Sequence, residues 1–225
     1  MYQVQKQKII QQIEQHKKAI LYSFFRTTED LNITKLEPET QGNHIIKAIV
    51  SFEQEKKVIY DSGSLVLEQG FVKYITWFNQ NILKDRKMYC KHILSYPDCG
   101  FVEYIDVSDC QNEEQKKEYY YRLGSLDALL LPLQNEELKV SNIKMVKEQP
   151  IVQDIRALLR EPLIYNRKWV DDIEKRQYTH KNIANKYLGS MEKGYEDTCC
   201  FIRENERDVE EIIKLCFSGK ETWNT

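Results

Sequence analysis

No run of apolar residues in this 225-residue chain approaches the roughly 20 that a bilayer-spanning helix needs, so a helical membrane protein is excluded as a reading. The N-terminal MYQVQKQKIIQQIEQHKK has no hydrophobic region of the secretory type, and the expected location is therefore the cytoplasm, with no membrane partner. There is no excess of charge of either sign: the formal net charge is -2, which offers no electrostatic reason to expect nucleic acid as a partner. Among six cysteines there is no CxxC pair. Cys90, Cys99 and Cys110 are spaced by 9 and 11, Cys199 and Cys200 are adjacent, and Cys216 stands alone. Such spacing suits neither a zinc site nor an ordinary disulfide pattern, and reduced, mostly buried thiols are expected. The four histidines (His16, His44, His92, His180) show no ligand spacing, and Trp77, Trp169 and Trp223 are too far apart to suggest a nucleic-acid platform. Internal repeats and low-complexity linkers are missing as well.

What is present is an ordinary globular composition, 41% hydrophobic and 30% charged, in a chain long enough to bury a full core. The pattern predicts an α+β fold in one domain over residues 1–219, with a loose tail at 220–225. Ile9, Ile10, Ile13, Ile20, Leu21 and Phe24 recur at helical spacing in an N-terminal helix over 5–26. A polar connection over 31–43 contains Pro38 and Gly42. His44–Phe52 and Lys56–Tyr60 read as a β-hairpin around the charged turn EQEK. A helix over 65–82 buries Leu67, Phe71, Tyr74, Ile75 and Phe78. Two further strands, Met88–Tyr96 and Phe101–Val107, flank a turn at Pro97–Gly100. A helix over 112–133 becomes very apolar at LDALLLPL, where Gly124 allows close helix packing and Pro132 helps to end the element. Short and mostly polar helical segments follow, one from Ala157 and one over 169–186, and a long final helix over 190–216 closes the fold.

Chemistry concentrates between Arg122 and Leu159. There an apolar helix breaks at a polar turn near Gln134–Glu137, and two extended segments follow, 138–146 and 151–154. Acidic and amide groups stand where the periodicity changes: Glu137, then Asn142 five positions on, then Asp154 after twelve more. A kinase uses that order, with a base carboxylate, a metal-binding asparagine in the same loop and a metal-binding aspartate on the next strand. Oxygen donors from Asn142 and Asp154 suit a hard cation such as magnesium.

Over roughly Leu31–Gly219 the order of motifs resembles the kinase-like dehydratase domain of class II (LanM-type) lanthipeptide synthetases. The segments that carry the resemblance are LEPETQGNHIIKAIVSFEQEKKVIYDSGSL, YYYRLGSLDALLL, NEELKVSNIKM, VQDIRALL and MEKGYEDTCCFIRENERDVEEIIK. In the family these match a glycine-containing loop before the first strands, a strand ending in YKPRS, and a Tyr/Arg-Gly-Leu helix. A G-T-D-x-H-x-x-N loop, a V-D-x-E-T-L-L segment and a late helix with Gly and Tyr near its start come next. The resemblance implies a kinase-like core with small antiparallel β elements, an N-lobe-like region over 31–110 and a helical C-lobe-like region over 111–219. It also implies ATP and magnesium as cofactors, if the site works, for phosphorylation of Ser and Thr in a precursor peptide and elimination of the phosphate. A precursor peptide or a full-length synthetase would be the partner. The family's zinc cyclase domain has no counterpart within these residues.

The matching positions are altered. Asp61 stands where the lysine of YKPRS contacts ATP phosphates, and Gly63 replaces the arginine that follows. Glu137 occupies the catalytic aspartate position, one methylene longer, a displacement of roughly 1 Å that can cost about 100-fold. Lys139 replaces the histidine of that loop, and Arg156 replaces a glutamate beside the metal pair. Gly42 keeps the glycine of the first loop, with Glu37 and Glu39 near its acidic and histidine positions. Asn142 and Asp154 match the metal-binding residues. The expectation is a pseudoenzyme with no cofactor, kept as a scaffold or helper in peptide modification. The alternatives are an active peptide phosphotransferase and an interaction domain unrelated to peptide modification.

Overall fold

The computed structural model describes residues 2–133, 142–156 and 185–217. It shows an α+β fold with small antiparallel sheets, a kinase-like core and a helical C-terminal region. The chain divides into two compact units, one of Met1–Gln69 with Lys91–Ile105, the other of Gly70–Cys90 with Asp106–Thr225.

The first unit begins with α1 (Tyr2–Phe25), whose apolar stripe buries Ile9, Ile13, Ile20 and Leu21. These side chains share a core with Ala48, Val50, Phe52, Val58, Tyr60 and Phe101 from one face of a five-stranded antiparallel sheet. The sheet contains β1 (Ile33–Gln41), β2 (His44–Phe52), β3 (Lys57–Asp61), β4 (Ile93–Ser95) and β5 (Gly100–Glu103), in the order β1-β2-β3-β5-β4. Polar bonds fix α1 on the sheet: Gln12 donates to Asp98 at 2.7 Å and accepts from the Tyr60 hydroxyl at 2.7 Å. The β2–β3 turn places Gln54 and Glu55 at φ of 59° and 57°, the pair of left-handed residues that a tight hairpin requires.

Three sequence expectations need correction here. The segment 31–43 is mostly a strand rather than a connection. As an edge strand, β1 rests only Ile33, Leu36 and Pro38 against the sheet and exposes the remainder. A polar composition is normal at an edge, and Pro38 is tolerated there. The strands expected over 88–96 and 101–107 shrink to β4 and β5. Met88 does not pair in the sheet because Asn79 takes both of its backbone groups at 2.8 Å.

The second unit contains most of α2 (Val66–Asn81), then α3 (Glu113–Leu130), the β6–β7 hairpin (Ile143–Val146, Gln149–Val152), α4 (Asn185–Glu204) and α5 (Glu206–Phe217). Asn112 caps α3 by accepting from the Gln115 amide at 2.9 Å, a typical N-terminal signal. Leu131–Leu133, including Pro132, tighten into a 3-10 turn. The third correction concerns the final helix, which is two helices. They meet at Asn205, whose side-chain amide turns back to the Phe201 carbonyl at 2.9 Å. Along the two helices Met191, Tyr195, Cys199, Ile202, Val209 and Ile213 are buried, and Ile212 is half-buried. The elements expected over 157–184 and the tail over 220–225 lie outside the described residues.

Helices α3 and α4 approach closely because glycines face each other's backbone. A Cβ on Gly124 would collide with the Met191 carbonyl, and one on Gly194 with the Tyr121 carbonyl. Ser125 adds a hydroxyl bond to the Gly194 carbonyl at 3.1 Å. At the far end Glu113 accepts from Tyr187 at 2.9 Å and pairs with Lys186 at 3.0 Å.

Two outcomes follow from this packing. Gly124→Ala should destabilise the chain by about 1–3 kcal/mol, read by chemical denaturation, since backbone rather than a flexible side chain must give way. The bonds from Lys186 and Tyr187 hold the Glu113 carboxyl down to about 2, below its ordinary 4.5. A depressed folded-state pKa means that the tether is complete above pH 4.5 and weakens as pH falls towards 2. Amide exchange at the start of α4 should rise over that window in the wild type, and Glu113→Gln should abolish the dependence.

Candidate functional site

In the first unit, of the residues singled out from sequence, Gly42 lies in the β1–β2 turn and Asp61 at the end of β3. The β1–β2 connection is a two-residue turn, with Gln41 paired to His44 and Gly42 at φ 59°. A left-handed first position is the glycine-dependent form of a tight hairpin turn, and kinases place their glycine-rich loop over the phosphates. The carboxylate of Asp61 closes β3, the strand on which a kinase carries its phosphate-binding lysine. Asp61 is 4% exposed, and its Oδ1 accepts from the Gly63 amide at 3.0 Å. The next backbone bond, Ser62 to the Ile46 carbonyl at 2.9 Å, keeps this strand end paired to β2. Helix α2 then starts where the Leu65 amide donates to Ser95 Oγ at 2.9 Å, and it carries Glu68 in its first turn.

In the second unit, β6 and β7 pair from Ile143↔Val152 to Val146↔Gln149, joined by a turn with Lys147 at φ 51°. The ladder continues one step beyond the strands, since the Gln153 amide donates to the Asn142 carbonyl at 2.8 Å. Asn142 and Asp154 therefore stand at one mouth of the ribbon, within a residue of facing each other across the ladder. Both are half-buried, Ile155 beyond them is buried, and Arg156 is exposed. An amide oxygen and a carboxylate are donor types that a small hard cation takes, and the register sets Asn142 across from Gln153, one position from Asp154. Glu137 and Lys139 lie outside the described residues.

The closed end of the ribbon is held by residues to which the sequence pattern assigned no role. Arg122, on α3 and 7% exposed, donates to the Lys87 carbonyl at 3.3 Å, to the Glu148 carbonyl at 3.4 Å and to Glu118 at 3.3 Å. Gln149 donates to the Lys87 carbonyl at 3.2 Å and accepts from the Tyr89 amide at 3.0 Å. Arg86 lies over the Tyr121 ring at 4.0 Å, and the Tyr121 hydroxyl reaches Asp197 at 2.9 Å. The available signal for Arg122 was a lone cation on the apolar stripe of Tyr119, Leu123 and Leu126.

All six cysteines are unbonded; Cys99 and Cys199 are buried, Cys200 is exposed and the other three are half-buried, fewer buried thiols than the sequence suggests. Burial pushes the Cys199 thiol up to about 12 and Cys99 to about 11, which leaves neither as a thiolate at neutral pH. Among the described residues no group of three or more His, Cys, Asp or Glu is arranged to hold a metal. No described helix is long and apolar enough to cross a membrane.

Residues 3–187 match the family model described as "Domain of unknown function (DUF4135)". The chain belongs to the DUF4135 family. It is also 24% identical over 128 residues to a protein of Lactococcus lactis subsp. lactis called "Lacticin 481/lactococcin biosynthesis protein LcnDR2". That match takes in 53% of this chain but only 14% of the Lactococcus protein, so the chain spans a small part of its relative's length. The DUF4135 domain is thus a kinase-like domain of the LanM type, and the resemblance carried by the motifs holds at family level.

For this DUF4135 domain, Arg122 should be the main anchor of the hairpin that carries Asn142 and Asp154. Arg122→Met keeps the aliphatic stem and removes the bonds to Lys87, Glu118 and Glu148. A loss of about 1.5–3 kcal/mol is expected for bonds made by a buried charged donor, with faster amide exchange at Ile143–Val152 than in the rest of the second unit.

Proposed function

We propose that this DUF4135 domain is a catalytically lapsed relative of the lanthipeptide dehydratase core, acting as a cytoplasmic scaffold or helper that binds a precursor peptide or a full-length synthetase. The observation that carries the reading is Asp61, a buried carboxylate at the end of β3. A kinase depends on a β3 lysine paired to a glutamate of the following helix. Here β3 ends in a second carboxylate, and α2 still begins with Glu68. Two negative groups in place of an ion pair weaken the attraction for a triphosphate instead of supplying it. The substitutions at Glu137, Lys139 and Arg156 point the same way, because each alters the charge or reach of a group the family uses in transfer.

A second reading has one specific observation in its favour. Asn142 and Asp154 lie by the open end of the β6–β7 ribbon, and an active phosphotransferase would draw its metal donors from such a pair. Magnesium bound there would neutralise phosphate charge. Asn142 and Asp154 would hold it, and the Arg122 anchor at the opposite end of the ribbon would keep the two donors in register.

A transfer assay separates the readings. The chain, ATP and magnesium are incubated with a Ser/Thr-rich peptide, and phosphopeptide is read by mass spectrometry. The lapsed site predicts no more product than Asp154→Asn gives. Transfer that is present in the wild type and vanishes in Asp154→Asn would establish the active reading and remove the first.

A further inference from the structure

Asp61 removes a charge from water, and burying a carboxylate is costly unless a cation or several donors compensate it. The Gly63 amide supplies one neutral donor. Register shows what else the sheet brings to that point. Asp61 sits directly opposite Lys47 on β2 and opposite Gly100 on β5, and residues facing each other across an antiparallel ladder project from the same side. The Gly100 flank is apolar, since a Cβ there would collide with the Leu65 side chain. Lys57 shares this face four residues before Asp61, but its ammonium lies over the Tyr104 ring at 5.2 Å. Lys47, half-buried, is the cation that β2 places across from the carboxylate.

This row borders an aliphatic one. Ile49, Ile59, Val102 and Ile93 face one another across four strands and are all half-buried. The opposite face of the sheet is the one that shares its core with α1.

We propose that Lys47 is the phosphate-facing cation of this sheet, carried on β2 instead of β3, and that a cross-strand ion pair with Asp61 masks it. The face then holds a latent site for a polyphosphate oxyanion, closed by the chain's own carboxylate. The inference rests on the reading of Asp61 given above and adds a reason for the weak anion site: the positive charge is present and already neutralised.

The experiment is a two-residue cycle of wild type, Asp61→Asn, Lys47→Met and the double variant. Asparagine keeps the size of Asp61 and its bond from Gly63, and methionine keeps the stem of Lys47. Tripolyphosphate is titrated into each protein at low ionic strength by calorimetry, without metal, and thermal melts are recorded in parallel. Asp61→Asn should bind at least tenfold more tightly than wild type, and the gain should disappear in the double variant. Lys47→Met should lower Tm more in the wild-type background than in the Asp61→Asn background, because it strands the buried carboxylate only in the former. No tightening in Asp61→Asn, together with additive melts, would overturn the pair. Should Asp61→Asn fail to fold, Lys47→Met alone decides: a lowered Tm supports the pair, and an unchanged one refutes it. Phosphate transfer by the wild-type chain would contradict the lapsed-catalysis reading, whereas these outcomes bear on the pair.

Discussion

Asp61 imposes the strongest constraint on the first unit, because a carboxylate at 4% exposure must be compensated by its immediate neighbours. The β3–α2 turn is shaped around it: the Gly63 amide turns back to Oδ1, and the Ser62 amide stays on the β2 ladder. Leu65 then fills the space left by Gly100, and its own amide is taken by Ser95. Strand, turn and helix start are thus arranged around one charged side chain.

The second unit depends on a different device. Glycines at Gly124 and Gly194 let α3 and α4 touch backbone to backbone, and that close crossing fixes α3 in a core containing Leu126, Leu129, Met191 and Ile202. From this rigid helix Arg122 reaches the tip of the β6–β7 ribbon. A rigid element holding the closed end of a hairpin gives its open end, with Asn142 and Asp154, a defined position without help from a ligand.

Long apolar periodicities were readable from the sequence. The stripes of α2 and α3 appear as the spacing predicts, that of α1 does so except for Ile10, which is exposed, and Gly124 plays the packing role that its position in an apolar helix suggested. The edge strand β1 was not readable, because an edge needs little apolar surface and its Glu, Lys and Thr residues resemble a loop. The break at Asn205 was hidden because the apolar spacing continues through it, while the break itself depends on a single side-chain bond. Between Asn142 and Asp154 the sequence does show a ribbon, since twelve positions are enough for a tight hairpin, and β6 and β7 pair there. Lys47 and Arg122 were missed for a physical reason: each matters through a partner distant in the chain, and only the sheet register and the α3 contacts reveal it.

The central claim is that the β3 carboxylate leaves this domain without useful affinity for ATP. Calorimetric titration of the wild-type protein with ATP and saturating magnesium tests it most directly. The account predicts no binding heat at micromolar ligand and no shift of the Gly42, Asp61 or Asp154 amide resonances in a parallel NMR titration. Saturable micromolar binding that shifts those three resonances would contradict it.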